Sequence, residues 1–126
     1  MHRSQLGGII IDCDTEDLET AASFWSAALG YAALPTVKPE DKNYVSLDTA
    51  PHDLDLEVQK VDHTPRVHID IETDDMEAEV TRLEKLGAKA ICHIRDWRVM
   101  EAPTGHRFCV VPAQRSNFEK EAHIWP

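Results

Sequence analysis

Two stretches decide the reading of this chain. Val67–Ile91, "VHIDIETDDMEAEVTRLEKLGAKAI", repeats in outline what Ile9–Leu34, "IIIDCDTEDLETAASFWSAALGYAAL", has already said. Each opens on a β-branched run, Ile9-Ile10-Ile11 or Val67-His68-Ile69-Asp70-Ile71, and then turns acidic. Acidic and hydroxyl side chains at a helix start satisfy free N–H groups and complement the helix dipole. Asp14 or Thr15 is the expected cap of the first helix, and Thr73 or Asp74 that of the second. A 3.6-residue rhythm follows. Leu18, Ala21, Ala22, Trp25, Ala28 and Leu29 make one apolar stripe, and Met76, Val80, Leu83 and Leu86 the other. Both helices run into a glycine, Gly30 and Gly87, where a left-handed residue ends a helix.

Strand signals complete each copy. Tyr31–Val37, Tyr44–Asp48 and Leu54–Val61 follow the first helix, with Pro39, Asp41, Pro51, His52 and Asp53 as punctuation. Lys89–Ile94, Trp97–Glu101 and His106–Val111 follow the second, separated by Asp96 and the Pro103-Thr104-Gly105 turn. The order is βαβββ, twice. Two copies are too few for a solenoid. They are expected to pair as halves of one α+β domain, in which a mixed sheet encloses a groove. The domain spans residues 1–126, with modules at about 6–61 and 65–112 and a C-terminal tail at 113–126.

Composition narrows the partners. The formal net charge is −10, from 23 acidic and 13 basic side chains. Binding a nucleic-acid backbone or an anionic membrane surface calls for the opposite balance. The three cysteines, Cys13, Cys92 and Cys109, are odd in number and far apart, and no C-x-x-C pair occurs. "MHRSQLGGIIIDCD" meets an acid too soon for a signal peptide, and no apolar run approaches membrane-helix length. A cytoplasmic protein with reduced thiols is the expectation. G-x-G-x-x-G, P-loop and G-x-S-x-G motifs are absent.

Strand parity sorts the side chains into faces. Val67, Ile69 and Ile71 are expected to pack under the helices, which turns Arg66, His68, Asp70 and Glu72 the other way. Leu54, Leu56 and Val58 go inward and leave Asp55, Glu57 and Gln59 on the groove face. Phe108 and Val110 bury, while Arg107, Cys109 and Val111 share the opposite side. His68, Glu57, Gln59 and Cys109 therefore belong to the groove, and Trp97, opening a strand, offers it an aromatic wall. Each has a plainer reading. His68 hydrogen-bonds a neighbouring acid, Glu57 is solvated, and Cys109 is a small buried hydrophobe. Trp25 reads as core rather than groove, given its place on the helix stripe.

"DLETAASFWSAALGY" (17–31), "RVHIDIETDDMEAEVTRLEKLGAKAI" (66–91) and "WRVMEAPTGHRFCVV" (97–111) together resemble the glyoxalase/bleomycin-resistance/dioxygenase group, the vicinal-oxygen-chelate superfamily. The nearest flavour is its small glyoxalase-like branch, and the resemblance covers roughly residues 6–112. It implies paired βαβββ modules and a groove that, in metal-dependent members, holds a divalent ion with two ligands from each module. Carried over by position, the first ligand falls on Ile10, which has no donor atom. The second falls on Glu57, the third on His68, and the fourth, usually a glutamate, on Cys109. The degenerate set implies a protein that binds a small organic molecule in the groove, as antibiotic-sequestering relatives do, without a catalytic metal or other cofactor. The alternatives are a metal-dependent lyase, isomerase or dioxygenase using His68, Glu57 and Cys109, and an interaction module with no ligand. The resemblance also implies a homodimer, which light scattering returning a monomer mass would overturn.

Overall fold

The chain, described by a computed structural model over residues 1–50 and 52–126, begins with a strand longer than its β-branched run requires. That strand, β1, spans His2–Asp14. It is followed by α1 (Leu18–Leu29), a 3-10 turn (Pro39–Asp41), β2 (Tyr44–Leu47) and β3 (Asp55–Val61). Next come β4 (Arg66–Thr73), α2 (Met76–Lys85), β5 (Lys89–Ile94), β6 (Trp97–Glu101) and β7 (Arg107–Pro112). The tail forms α3 (Phe118–Glu121) and β8 (His123–Trp125). Pro51, expected as punctuation, lies outside the described residues.

The repeat is written most exactingly at the helix starts, though not in the residues expected there. Asp17 and Asp75 are the caps. Their carboxylates accept the N–H of Thr20 and of Ala78, each at 3.1 Å. Thr15 and Thr73 serve one step earlier, where their hydroxyls accept the N–H of Asp17 (3.0 Å) and Asp75 (3.1 Å). Asp14 and Asp74 cap neither helix. A Thr-x-Asp unit thus starts both helices, because a hydroxyl that closes a local turn leaves the following aspartate facing the free N–H groups. Both helices end at a left-handed glycine, with φ of 79° at Gly30 and 107° at Gly87.

The chain divides into two compact units, Gly8–Val67 and Met1–Gly7 with His68–Pro126. In the first, the second half of β1 pairs in parallel with β3, from Gly8 opposite Asp55 to Asp14 opposite Val61. Strand β2 pairs antiparallel with β3. Ile11, Leu47, Leu56 and Val58 form the core under α1, with Leu18, Ala21 and Trp25 packed on it. Ala28 and Leu29, expected on the stripe, are exposed, since they lie in the last turn before Gly30. The expected strand Tyr31–Val37 reduces to one bridge, Ala33 opposite Leu47. Pro35 comes two residues later, after the Leu34 N–H has donated to the Ser46 carbonyl, and has no N–H to give a ladder.

In the second unit β4 pairs in parallel with β7, β7 antiparallel with β6, and β6 antiparallel with β5. Val80 and Leu83 of α2 bury against Met100, Phe108 and Val110. Leu86 caps the C-terminus of α2 and is exposed, so the stripe stops one turn short of it. Ile71 packs on this core, but Val67 and Ile69, expected to do the same, are 60% and 44% exposed. The core sits over β6 and β7, and only the far end of β4 reaches it.

The tail belongs to this unit. Strand β8 pairs antiparallel with His2–Ser4, and the Trp125 indole donates to Ser4 Oγ at 2.8 Å. The Arg82 guanidinium lies 3.9 Å from the centre of the Trp125 ring. Arg82 also makes two 2.8 Å hydrogen bonds to the fully buried Glu79 carboxylate, which His2 Nε2 meets at 2.8 Å. Burial, the strongest single influence, pushes the Glu79 carboxyl up. Hydrogen bonds from Arg82, His2 and Ser4, with the charge of Arg82, more than reverse it and leave the group below its ordinary value.

Candidate functional site

Alternation along β4 places His68, Asp70 and Glu72 on one side of the strand. Glu72 is spent on architecture. It is buried, and its carboxylate accepts Gln5 Nε2 (2.6 Å) and the N–H groups of Gln114 (3.0 Å) and Arg115 (3.2 Å). His68 and Asp70 lie further along the strand. Their side chains are each 14% exposed, and His68 Nε2 stands 3.6 Å from Asp70 Oδ1. That separation is an ion-pair distance, too long for a hydrogen bond.

Cys109 reaches the same place from β7. It is the register partner of Asp70 in the parallel ladder. One donor atom each from His68, Asp70 and Cys109 lie within 4.8 Å of one another. Trp97 shares their side of the sheet, two residues along β6 from Val99, which faces Cys109. It is half-buried, and the Arg95 guanidinium lies 5.1 Å from its ring centre. Two expected residues, His68 and Cys109, are therefore brought together. Asp70 completes the group; the sequence counts it with the polar residues of the groove but not among the candidate ligands. Parity already placed it on the correct face. The β4–β7 register that sets it beside Cys109 had no sequence signal.

Within the first unit, Ile10, Glu57 and Gln59 share the sheet face turned away from α1. Ile10 is 2% exposed and is the register partner of Glu57. Gln59 Nε2 donates to the Tyr44 hydroxyl at 3.0 Å. Tyr44 lies opposite Gln59 on β2, so it belongs to this face, and the sequence reading did not single it out. Gly8 permits the strands' close approach at the rim, because a Cβ there would stand 2.7 Å from the Asp55 carbonyl oxygen.

The donor chemistry tests the metal set that the resemblance implies. Ile10 supplies no donor and is 2% exposed. Cys109 supplies sulfur where a hard carboxylate oxygen is called for. The residues present do not fit an oxygen-rich, six-coordinate ion with ligands from both modules. The residues that could hold a cation within the second unit are His68, Asp70 and Cys109.

Residues 9–111 match the model of the family described as "Glyoxalase-like domain", and the chain belongs to that family. No curated protein matches it. Among solved structures it is similar to methylmalonyl-CoA epimerase from Mycobacterium tuberculosis, with a TM-score of 0.58 and 16% identity over 86% of this chain and 88% of that one. A hypothetical protein from Bacillus halodurans gives 0.58 and 15%, over 90% of this chain and 99% of that one. A Streptomyces coelicolor methylmalonyl-CoA epimerase variant, in complex with 2-nitronate-propionyl-CoA, gives 0.52 and 17%, over 89% and 97%. At these identities the likeness is one of fold. No helix among the described residues is long and apolar enough to cross a membrane.

Proposed function

We propose that this glyoxalase-like protein binds a small organic molecule on the polar sheet face around His68, Asp70 and Cys109. The observation that carries the reading is the convergence of three polar groups where solvent is largely excluded. The imidazole and carboxylate offer a directional donor and acceptor, and Trp97 offers an aromatic surface beside them.

The epimerases of this fold include one whose structure holds an acyl-CoA analogue. The net charge of −10 makes a coenzyme A ester, with its phosphates, a poor candidate for this chain. A neutral or cationic ligand suits it better. The family's metal chemistry does not carry over, because Ile10 and Cys109 break the ligand set on which it depends.

A thermal-shift screen of small neutral and amine-bearing compounds, run on chelator-treated protein, tests the proposal. A ligand present at a hundred times its Kd adds about 2.7 kcal/mol of stability. At least one compound class should raise the melting temperature of the wild type, with affinity falling tenfold or more in His68→Ala. A screen with no binder, or with binders indifferent to His68, would leave the interaction-module reading standing instead.

A further inference from the structure

We propose that the outer face of α1 is the surface through which two copies of this chain pair about a two-fold axis, with Phe24 near that axis. The contact lies wholly on the first unit and is independent of the ligand proposed for the second.

The repeat supplies its own control. Helix α2 has the outer face of a solvated helix: it leaves Glu77, Thr81, Glu84 and Lys85 exposed, and three of them are charged. Helix α1 is built on the same plan, with Leu18, Ala21, Ala22 and Trp25 turned to the core. Beyond its first turn the exposed residues are Ser23, Phe24, Ala27, Ala28 and Leu29, none of them charged. Phe24, Ala27 and Ala28 stand three and four residues apart and so share one stripe. Phe24 is 62% exposed, yet its ring is held edge-on against Trp25, with centres 5.1 Å apart and planes at 87°. A ring already fixed in place loses little freedom when a partner covers it. The uncharged run extends past the helix. From Thr20 to Val37 the chain has no acidic, basic or histidine residue, although 29% of all its residues are charged. Leu29, Leu34 and Val37 are all exposed within that run.

Charge selects the occupant. A net charge of −10 makes two copies of the chain repel one another over most of their surface. In a two-fold contact the same patch meets itself, so a patch with net charge faces its own sign. A face without charge escapes that cost, and the outer face of α1 is one. A foreign partner of basic charge would seat on the acidic surface instead, where α1 offers it nothing. The charges that bound the run fall outside the centre. After α1 the chain runs back beside β2, with the Asp48 N–H donating to the Ala32 carbonyl at 2.8 Å, Leu34 N–H to Ser46 at 2.9 Å and Thr36 Oγ1 to Tyr44 at 2.8 Å. Lys38 therefore returns toward the end of the unit where α1 starts, and where Lys60 Nζ meets Glu16 at 3.5 Å. Phe24 lies at the middle of Leu18–Leu29. When α1 crosses its mate at Phe24 in antiparallel fashion, Glu19 and Lys38 of each copy lie at the rim. An apolar centre with a polar rim is the ordinary build of a specific interface.

The test uses the full chain in analytical ultracentrifugation. Wild type at micromolar concentration should sediment at twice the chain mass of 14.2 kDa. High salt should leave that mass in place, because no ion pair carries the contact. Phe24→Glu and Ala28→Glu each set a carboxylate against the mate's apolar stripe and should weaken pairing by roughly a hundredfold or more. Both should then sediment as monomers. Both positions are exposed, so circular dichroism should show unchanged helix content. Thr81→Glu, on the exposed face of α2, should keep the wild-type mass. Hydrogen exchange needs no variant: in wild type, peptides from residues 20–37 should exchange more slowly as protein concentration rises, and those from α2 should not change. A wild type that is monomeric at micromolar concentration would overturn the proposal. So would a dimer that survives both Phe24→Glu and Ala28→Glu, one that Thr81→Glu breaks as readily, or concentration-dependent protection outside residues 20–37 alone.

Discussion

In the first unit the sheet face turned away from the helix carries Ile10, Glu57 and Gln59; in the second it carries His68, Asp70 and Cys109. Both units start a helix with Thr-x-Asp, end it at a left-handed glycine, and bury alternate residues of their strands. The scaffold has been kept twice, and the chemistry has not. A buried isoleucine stands beside a carboxylate and an amide on one face, and a thiol beside an imidazole and a carboxylate on the other. The second unit is also the more heavily tied, with the Glu79–Arg82 pair and the tail strand locked to it. The two halves therefore differ in what a substitution should cost.

The largest expected difference lies in the helix stripes. Leu83 is buried among Val80, Met100, Phe108 and Val110, with Met100 and Val110 fully enclosed. Leu83→Ala leaves a cavity that such a packed wall cannot fill, and should cost about 4 kcal/mol. Trp25 holds the corresponding place in the first unit but is only half-buried at the edge of its core. Trp25→Ala should cost about 2 kcal/mol, below the range for a fully buried tryptophan. Chemical denaturation of the two variants measures the gap, and equal losses would mean that the two cores are equivalent after all.

A smaller effect separates the units by their ionic content. Glu79→Gln keeps the shape of the side chain and removes the charge that Arg82 and His2 share. It should cost about 3 kcal/mol, the low end for breaking a buried ion pair, because Arg82 keeps about a quarter of its side chain in solvent. The Glu79 carboxyl titrates below its unfolded value. Its contribution is therefore full above the unfolded glutamate pKa of about 4.3 and is lost as pH falls through the folded value. Wild type should lose stability more steeply than Glu79→Gln across that acid window. Parallel curves would show that the charge does not stabilise the fold.

How much of this was legible beforehand follows from the kind of signal each feature leaves. Parity is local, so the burial of Leu56 and Val58 and the half-exposure of Glu57 and Gln59 between them could be read from one strand. Helix periodicity is local too, and it failed only at the ends, where Ala28, Leu29 and Leu86 meet the glycines. Register is not local. Nothing in "RVHIDI" or "RFCVV" says that Asp70 will lie beside Cys109, because the pairing joins strands that α2, β5 and β6 separate in the chain. The Glu79 network was hidden for the same reason, since its partners His2 and Trp125 stand at opposite ends of the chain. Tyr31–Val37 read as a strand by composition, and Pro35 overruled it by removing one N–H.

The smallest prediction bears on what the two units share. Asp17 and Asp75 perform one task, each accepting an N–H three residues on at 3.1 Å, each preceded by a threonine that holds its own N–H. Asp17→Ala and Asp75→Ala should each lower the melting temperature by a few degrees and by similar amounts, and the double variant should show their sum, because the caps share no partner. The Thr20 hydroxyl and backbone N–H hold the Asp17 carboxyl below its ordinary value. A depressed carboxyl stabilises above its unfolded pKa of about 3.9 and stops doing so as pH falls through the folded value. The difference between wild type and Asp17→Ala should therefore be present at neutral pH and fade below about pH 4. A melting-temperature loss for Asp17→Ala that stayed constant down to pH 2 would show that the alanine acts through something other than the lost cap. Markedly unequal losses for the two variants would mean that the shared Thr-x-Asp signature is a likeness of sequence and not of energetics.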